Sequence, residues 1–233
     1  MSEAQDGFPK ISPKPYLQLN VDLPGQIYTI DDFFSADELS NVMKWTKAVA
    51  MEAPKKPGKG EAERTARRGT VDSPAIAQIL LDALQPHLRS LDPPYAPATP
   101  LLSPNIRVYH YPPKTFFRGH YDSPQLDPRS RRLSCWTVLV YLSNGVKGGG
   151  TTFWLDDPER DGGKSKRSAK SKGKGEKDSR AKPTDGPRRM TFEPKAGRVL
   201  LHWHGVARGG CMLHEGDEVV SGDKWVLRTD VLA

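Results

Sequence analysis

His120 and Asp122 stand two residues apart in "RGHYDSP", an imidazole and a carboxylate at a spacing that could hold a metal ion. Alone the pair says little. Six histidines and 28 acidic residues in 233 make about 0.7 His-x-acid matches expected by chance. On a strand, positions i and i+2 project to one side, so both donors would enter one cavity. A nitrogen and a carboxylate oxygen suit Fe(II), provided a second histidine completes a facial triad with three open positions. Three histidines lie downstream: His202, His204 and His214. His202 and His204 flank Trp203 in "LLHWHG" and share a strand face, a spacing open to a metal pair but read more readily as buried or hydrogen-bonded structural histidines. His214 differs in opening "HEGDEVVSGDKWVLRTD", with Lys224 ten residues on. A hairpin return would carry that ammonium into the same cavity. A buried lysine there needs a counter-charge, which the far carboxylate of a dicarboxylate ligand would supply. Arg228 shares the Lys224 face and is the next choice of anchor.

Such side chains need a framework, and the sequence outlines one. "QIYTI" at 26–30 reads as a short strand. In the segment after it, Ser35 and Glu38 form a capping box ahead of apolar residues at helical spacing. A polar, basic loop follows over about 53–70. Ser73 and Pro74 then open a second helix whose Ile76, Ile79, Leu80, Ala83, Leu84 and Leu88 form one apolar stripe. From 105 the period changes to two. "NIRVYHY" puts Ile106 and Val108 on one face and Arg107, Tyr109 and Tyr111 on the other. "SCWTVLVYLS" is a buried-strand run, and "GGGTTFWL", "MTFEP", "GRVLLHWH", "GCMLHEGDEVV" and "DKWVLRTDVL" are strand-like segments between Gly or Asp turns. Two helices followed by seven or eight short strands predict a mostly β fold, a jelly roll with helices packed outside.

Charge is distributed unevenly. Residues 159–189 hold 12 Lys/Arg and 5 Asp/Glu; taking these from the 35 and 28 of the whole chain leaves 23 of each sign. The body is neutral, and the net +7 sits in one Gly/Ser/Lys-rich insertion that reads as a disordered loop. Residues 1–24 are Pro-rich and read as extended or loosely docked, leaving 25–233 as one domain. Within it, 35–92 supply helical support, and 104–157 with 190–233 supply the β core. No signal-like apolar run and no 18-residue apolar span occurs, so a cytoplasmic or nuclear protein without membrane association is expected. Cys135 and Cys211 make no disulfide framework and are expected to be reduced thiols.

The blocks "YHYPPKTFFRGHYD", "TVLVYLSN…GGGTTF", "PKAGRVLL" and "LHEGDEVVSGDKW" together resemble the prolyl 4-hydroxylase-type branch of the 2-oxoglutarate/Fe(II) dioxygenases. The resemblance covers roughly 104–157 and 190–231, and "IYTIDDFFSADEL" is similar to the family's entry strand and helix. It implies a double-stranded β-helix, with His120, Asp122 and His214 as iron ligands and Lys224 pairing with the C5 carboxylate of 2-oxoglutarate. It gives Tyr111 as a hydroxyl donor to the cosubstrate and Tyr141 as a lesser candidate for the cavity wall, read otherwise as core. Fe(2+), 2-oxoglutarate, O2 and ascorbate as reductant are the implied cofactors. The implied reaction is hydroxylation of an unactivated C–H bond, with a prolyl residue of a protein or peptide as its target and a small metabolite as a variant. A non-catalytic β-helix that uses the basic loop to hold nucleic acid or an acidic partner is the alternative. Nucleic acid is not favoured, because the wider superfamily's nucleic-acid demethylases generally place arginine where this chain has Lys224.

Overall fold

The computed structural model describes residues 7–91, 96–156, 188–206 and 210–233. Along the chain, β1 (Asn20–Leu23) and β2 (Ile27–Ile30) precede α1 (Ala36–Ala48), and β3 (Arg67–Asp72) precedes α2 (Pro74–Leu88). Then follow β4 (Leu101–Leu102), β5 (Asn105–Tyr111), β6 (Phe117–His120), β7 (Ser134–Tyr141), β8 (Lys147–Gly148) and β9 (Thr151–Trp154). The last strands are β10 (Arg189–Phe192), β11 (Val199–Trp203), β12 (His214–Gly216), β13 (Val219–Ser221) and β14 (Lys224–Leu232). They form a large antiparallel sheet in the order β1-β2-β11-β7-β14-β5-β3, with β4 beside β14. A smaller sheet runs β10-β9-β12-β6, and β8 pairs with β13. The fold is the expected mostly β, jelly-roll arrangement with two flanking helices.

Both helices begin as their capping residues dictate. Ser35 Oγ accepts the Glu38 N–H at 3.2 Å while Glu38 returns a carboxylate to the Ser35 N–H at 2.8 Å. Ser73 Oγ accepts the Ile76 N–H at 3.2 Å, with Pro74 in the first turn where no N–H is needed. The apolar stripe of α2 packs with Ile106, Val108, Trp136, Val138, Leu201 and Leu227 on one face of the large sheet. The other face carries Tyr109, Tyr111, Tyr141, Leu200 and Val226, which meet Phe153 and Phe192 of the small sheet. Alternation along each strand therefore assigns one set of residues to the helices and the other to the space between the sheets.

Three features differ from the sequence reading or refine it. The loop expected over 53–70 ends in a strand: β3 pairs along its length with β5, from Arg67 opposite His110 to Asp72 opposite Asn105. Only Gly69 and Val71 of that strand are buried, so it carries almost no apolar signal. Residues 7–23 are tied to the body, since Phe8 packs edge-on against Trp45 at 4.9 Å and Lys14 pairs with Glu38 at 2.6 Å. The basic insertion of 159–189 lies outside the described residues except for Arg188 and Arg189. Asp156 and Arg188 close its base with an ion pair at 2.8 Å. Neither Cys135 nor Cys211 is in a disulfide, and both are buried.

Candidate functional site

Cross-strand pairing brings the first two donors together. His214, the first residue of β12, lies directly opposite His120, the last of β6, and their rings are 4.3 Å apart. Asp122 arrives differently from the i, i+2 strand geometry expected of it. β6 ends at His120, and Asp122 sits two residues beyond, where its N–H donates to Cys211 Sγ at 3.3 Å. Its carboxylate is then held from the large sheet. Thr137 Oγ1 of β7 donates to Oδ2 at 2.9 Å, and Arg228 Nη2 of β14 pairs with the same oxygen at 2.9 Å. Oδ1 faces His120 Nε2 at 3.9 Å, and Oδ2 faces His214 Nε2 at 3.7 Å.

The outer nitrogens of both histidines are engaged. His120 Nδ1 bonds the Arg118 carbonyl at 2.8 Å and His214 Nδ1 the Met212 carbonyl at 2.9 Å. A carbonyl can only accept, so each Nδ1 carries its proton and each Nε2 presents a lone pair to Asp122, the arrangement that orients imidazoles for a metal. Burial pushes His120 down to about 4, keeping it neutral at physiological pH, and burial lowers His214 as well. Burial acts most strongly on Asp122 and acts to raise it, but the Arg228 guanidinium together with the neighbouring His214, His202 and His120 outweighs burial and holds the carboxyl well below its usual range. One ligand atom from each of His120, Asp122 and His214 lies within 4.8 Å of the others. Two neutral imidazoles and one ionised carboxylate are a donor set that fits Fe(II).

Behind these donors is a tight pocket of ≈ 40 Å³, lined by Tyr109, Tyr111, Thr151, His202, Lys224 and Arg228 among others. Lys224 is 2% exposed and sits opposite Tyr111 in the β14–β5 register, its Nζ 4.8 Å from the Tyr111 ring centre and 5.7 Å from that of Tyr141. Burial lowers it to about 8, and Asp217 and Glu193 act on it only through space. Room for its stem comes from the Gly148–Gly149 turn. Gly149 has φ +68°, and a Cβ there would meet Val219 at 2.8 Å and Lys224 Cδ at 3.3 Å. Burial raises the Tyr111 phenol, so it stays protonated and able to donate. Tyr141 donates to Thr151 Oγ1 at 2.7 Å and is fully buried, which makes it a wall of the cavity rather than a free donor.

Some contributors were not legible. His204 is a bonded structural histidine, contacting Ser134 Oγ at 2.8 Å and Thr137 Oγ1 at 3.0 Å. His202 is buried as expected but faces the site, with Nε2 3.5 Å from Asp122 Oδ2 and both ring nitrogens lacking a hydrogen-bond partner. With Cys211 and His214 it forms a second group of donors within 4.8 Å. Arg228, considered only as an anchor for a dicarboxylate, instead grips Asp122. Thr137 carried one signal: a hydroxyl in the apolar run of β7, on the Leu139 and Tyr141 side.

The sequence matches no protein-family model and no curated protein. Solved structures do match. A viral collagen prolyl hydroxylase from Paramecium bursaria Chlorella virus-1, with 2-oxoglutarate bound, aligns with a TM-score of 0.55 at 18% identity, over 89% of this chain and 96% of that one. A Trichoplax adhaerens prolyl hydroxylase, in complex with a peptide fragment of the hypoxia inducible factor oxygen degradation domain, aligns at 0.55 and 15%, over 91% and 85%. The α-ketoglutarate-dependent epimerase SnoN of nogalamycin biosynthesis aligns at 0.53 and 16%, over 89% and 78%. At these identities the likeness is one of fold: the chain has the prolyl 4-hydroxylase-type 2-oxoglutarate/Fe(II) oxygenase fold. Among the described residues no helix is long and apolar enough to cross a membrane.

Proposed function

We propose that this chain is a 2-oxoglutarate- and Fe(II)-dependent dioxygenase that hydroxylates an unactivated C–H bond, with a prolyl residue of a protein or peptide as its target. One observation carries the reading. His120, His214 and Lys224 come from three strands yet line one cavity, and Asp122 meets the two histidines from the loop after β6, with tautomers and charges that suit a ferrous ion and a dicarboxylate. His120 and His214 would hold the iron through Nε2 and Asp122 through a carboxylate oxygen. When bound, iron with 2-oxoglutarate and O2 supplies the oxidation: one oxygen atom enters the substrate C–H bond and the other enters succinate, with loss of CO2.

The protein's own contribution is orientation and exclusion of water. Lys224 attracts the far carboxylate of the cosubstrate, and its burial makes that attraction strong, because no ion pair among the described residues competes for it. Tyr111 donates its hydroxyl beside Lys224. Thr137 and Arg228 fix the Asp122 carboxylate so that the ligand does not rotate away. Ascorbate is the reductant that would maintain the ferrous state. The domain takes in β1 and the segment before it as well as residues 25–233, interrupted by the basic insertion. Because the same fold in SnoN serves an epimerase, the product must be identified and not only the consumption of cosubstrate.

Incubation with Fe(II), ascorbate and 2-oxoglutarate should give iron-dependent succinate, detectable even without a substrate. Asp122→Ala and His214→Ala should each reduce it to background while circular dichroism shows the fold retained. Succinate formation at the original rate in either folded variant would remove the triad as assigned.

A further inference from the structure

The mouth of the site is rich in cationic side chains. A cleft of ≈ 870 Å³ opens beside the inner pocket, and the two share Phe117 and His120 alone. Lys55, Lys56, Arg64 and Arg68 line it, with Glu61 as its one acidic side chain. Two of these cations are fixed in place. Arg64 donates Nη1 to the Ala66 carbonyl at 2.6 Å and lies 5.7 Å over the Tyr109 ring. Arg68 Nε is buried with no hydrogen-bond partner, a donor whose desolvation is uncompensated until something accepts from it.

We propose that this cleft binds the substrate, and that the substrate is a peptide segment bearing carboxylate side chains near the residue to be modified. The proposal rests on the oxygenase reading only for the position of the target, which would lie at the His120 edge where cleft and pocket meet. Four cations against one acid select a negatively charged occupant. The occupant is a peptide because a cleft of ≈ 870 Å³ has room for several residues of a chain. Its walls include Arg68 of β3 and Phe117 to His120 of β6, but the outer edges of these strands are already bridged within the protein, β3 by Glu52 and β6 by residues 63–65, so the occupant is held through its side chains. Gly119 leaves that wall without a side chain, and the nearest atom a Cβ would meet there is Leu213 Cδ1 at 3.4 Å. A nucleic acid strand would need cations spread along the body to release counterions over many phosphates. Outside the insertion the chain has 23 residues of each sign, so the positive charge here is local to the cleft.

The test is selection of bound peptides from a fully degenerate decapeptide display library on the full chain, followed by sequencing. Asp and Glu should be enriched roughly tenfold over Lys and Arg, the combined effect of two or three ion pairs in a partly shielded cleft. The enrichment should collapse in the double variant Lys55→Glu/Lys56→Glu, which changes only exposed side chains. Arg68→Gln should weaken it without touching them. No acidic enrichment, or enrichment indifferent to the double variant, overturns the proposal. So does displacement of the bound acidic peptides by a single-stranded RNA oligonucleotide at lower concentration than by free acidic peptide. Binding needs no turnover, so the outcome is separable from the oxygenase reading: succinate formation with no peptide preference removes the substrate class alone.

Discussion

The two faces of β14 are built from one strand yet serve opposite ends. Leu227 and Val231 are buried with the helices, while Lys224 and Asp230 are buried and Arg228 half-buried on the opposite side. One face gains by removing apolar area from water; the other places charge where water is scarce and loses stability unless that charge is answered. Arg228 is answered by Asp122 at 2.9 Å and Asp230 at 3.4 Å, whereas Lys224 has no such partner among the described residues. The difference shows where the molecule stores its binding energy: in the unanswered cation.

That contrast can be broken most forcefully on the apolar face. Leu227→Ala should cost about 2–5 kcal/mol of unfolding free energy, the range for a fully buried leucine whose neighbours cannot close the gap. Urea denaturation measures the loss, and calorimetry on the folded variant should find 2-oxoglutarate affinity unchanged. A binding defect of comparable size would mean the two faces are not separable.

Lys224→Met should do the reverse. A fall from 10.5 to about 8 makes the charged form unfavourable in the fold by roughly 3 kcal/mol. The sign follows from the direction of the shift. A base lowered on folding carries the full penalty below about 8, and the penalty fades as pH rises towards the unfolded value of 10.5. At neutral pH the methionine variant should therefore be more stable, with 2-oxoglutarate affinity reduced about a hundredfold or more. In the unaltered protein the dissociation constant for 2-oxoglutarate should stay flat below about pH 8 and climb above it as the ammonium is lost. A flat constant up to pH 9.5 would place the anchor elsewhere.

Legibility divided along the same line. The apolar face of each strand was readable because period-two alternation fixes which residues share a side, as in Ile106 and Val108 against Tyr109 and Tyr111. The candidates His120, Asp122, His214 and Lys224 were singled out by type and spacing and given their roles by the family resemblance, and the structure brings them near one another. What spacing could not give was register between distant strands. His202 enters the site because Leu200 and His202 share the inner face of β11, and β11 pairs with β7. β3 escaped notice for a different reason: as an end strand with two buried residues, it needs little apolar sequence to pair.

Thr137 offers the finest cut between the two faces, because it lies in β7 between Trp136 and Val138, which pack towards the helices, yet its hydroxyl belongs to the site. Thr137→Val keeps the shape and removes one donor to Asp122 Oδ2 and a contact to His204 Nδ1. Arg228 still holds that oxygen, so the carboxylate is loosened rather than released. Donors that hold a metal-binding carboxylate in place typically govern metal affinity by about 10–100-fold, and with Arg228 remaining the lower end, about tenfold, is expected. Stability should fall by about 1 kcal/mol, the worth of one buried hydrogen bond. Titration with a spectroscopically visible divalent ion such as Co(II) reads the first and thermal unfolding the second. A stability loss with no change in ion affinity would make Thr137 a core residue that happens to touch a ligand, and would move the boundary of the site off β7.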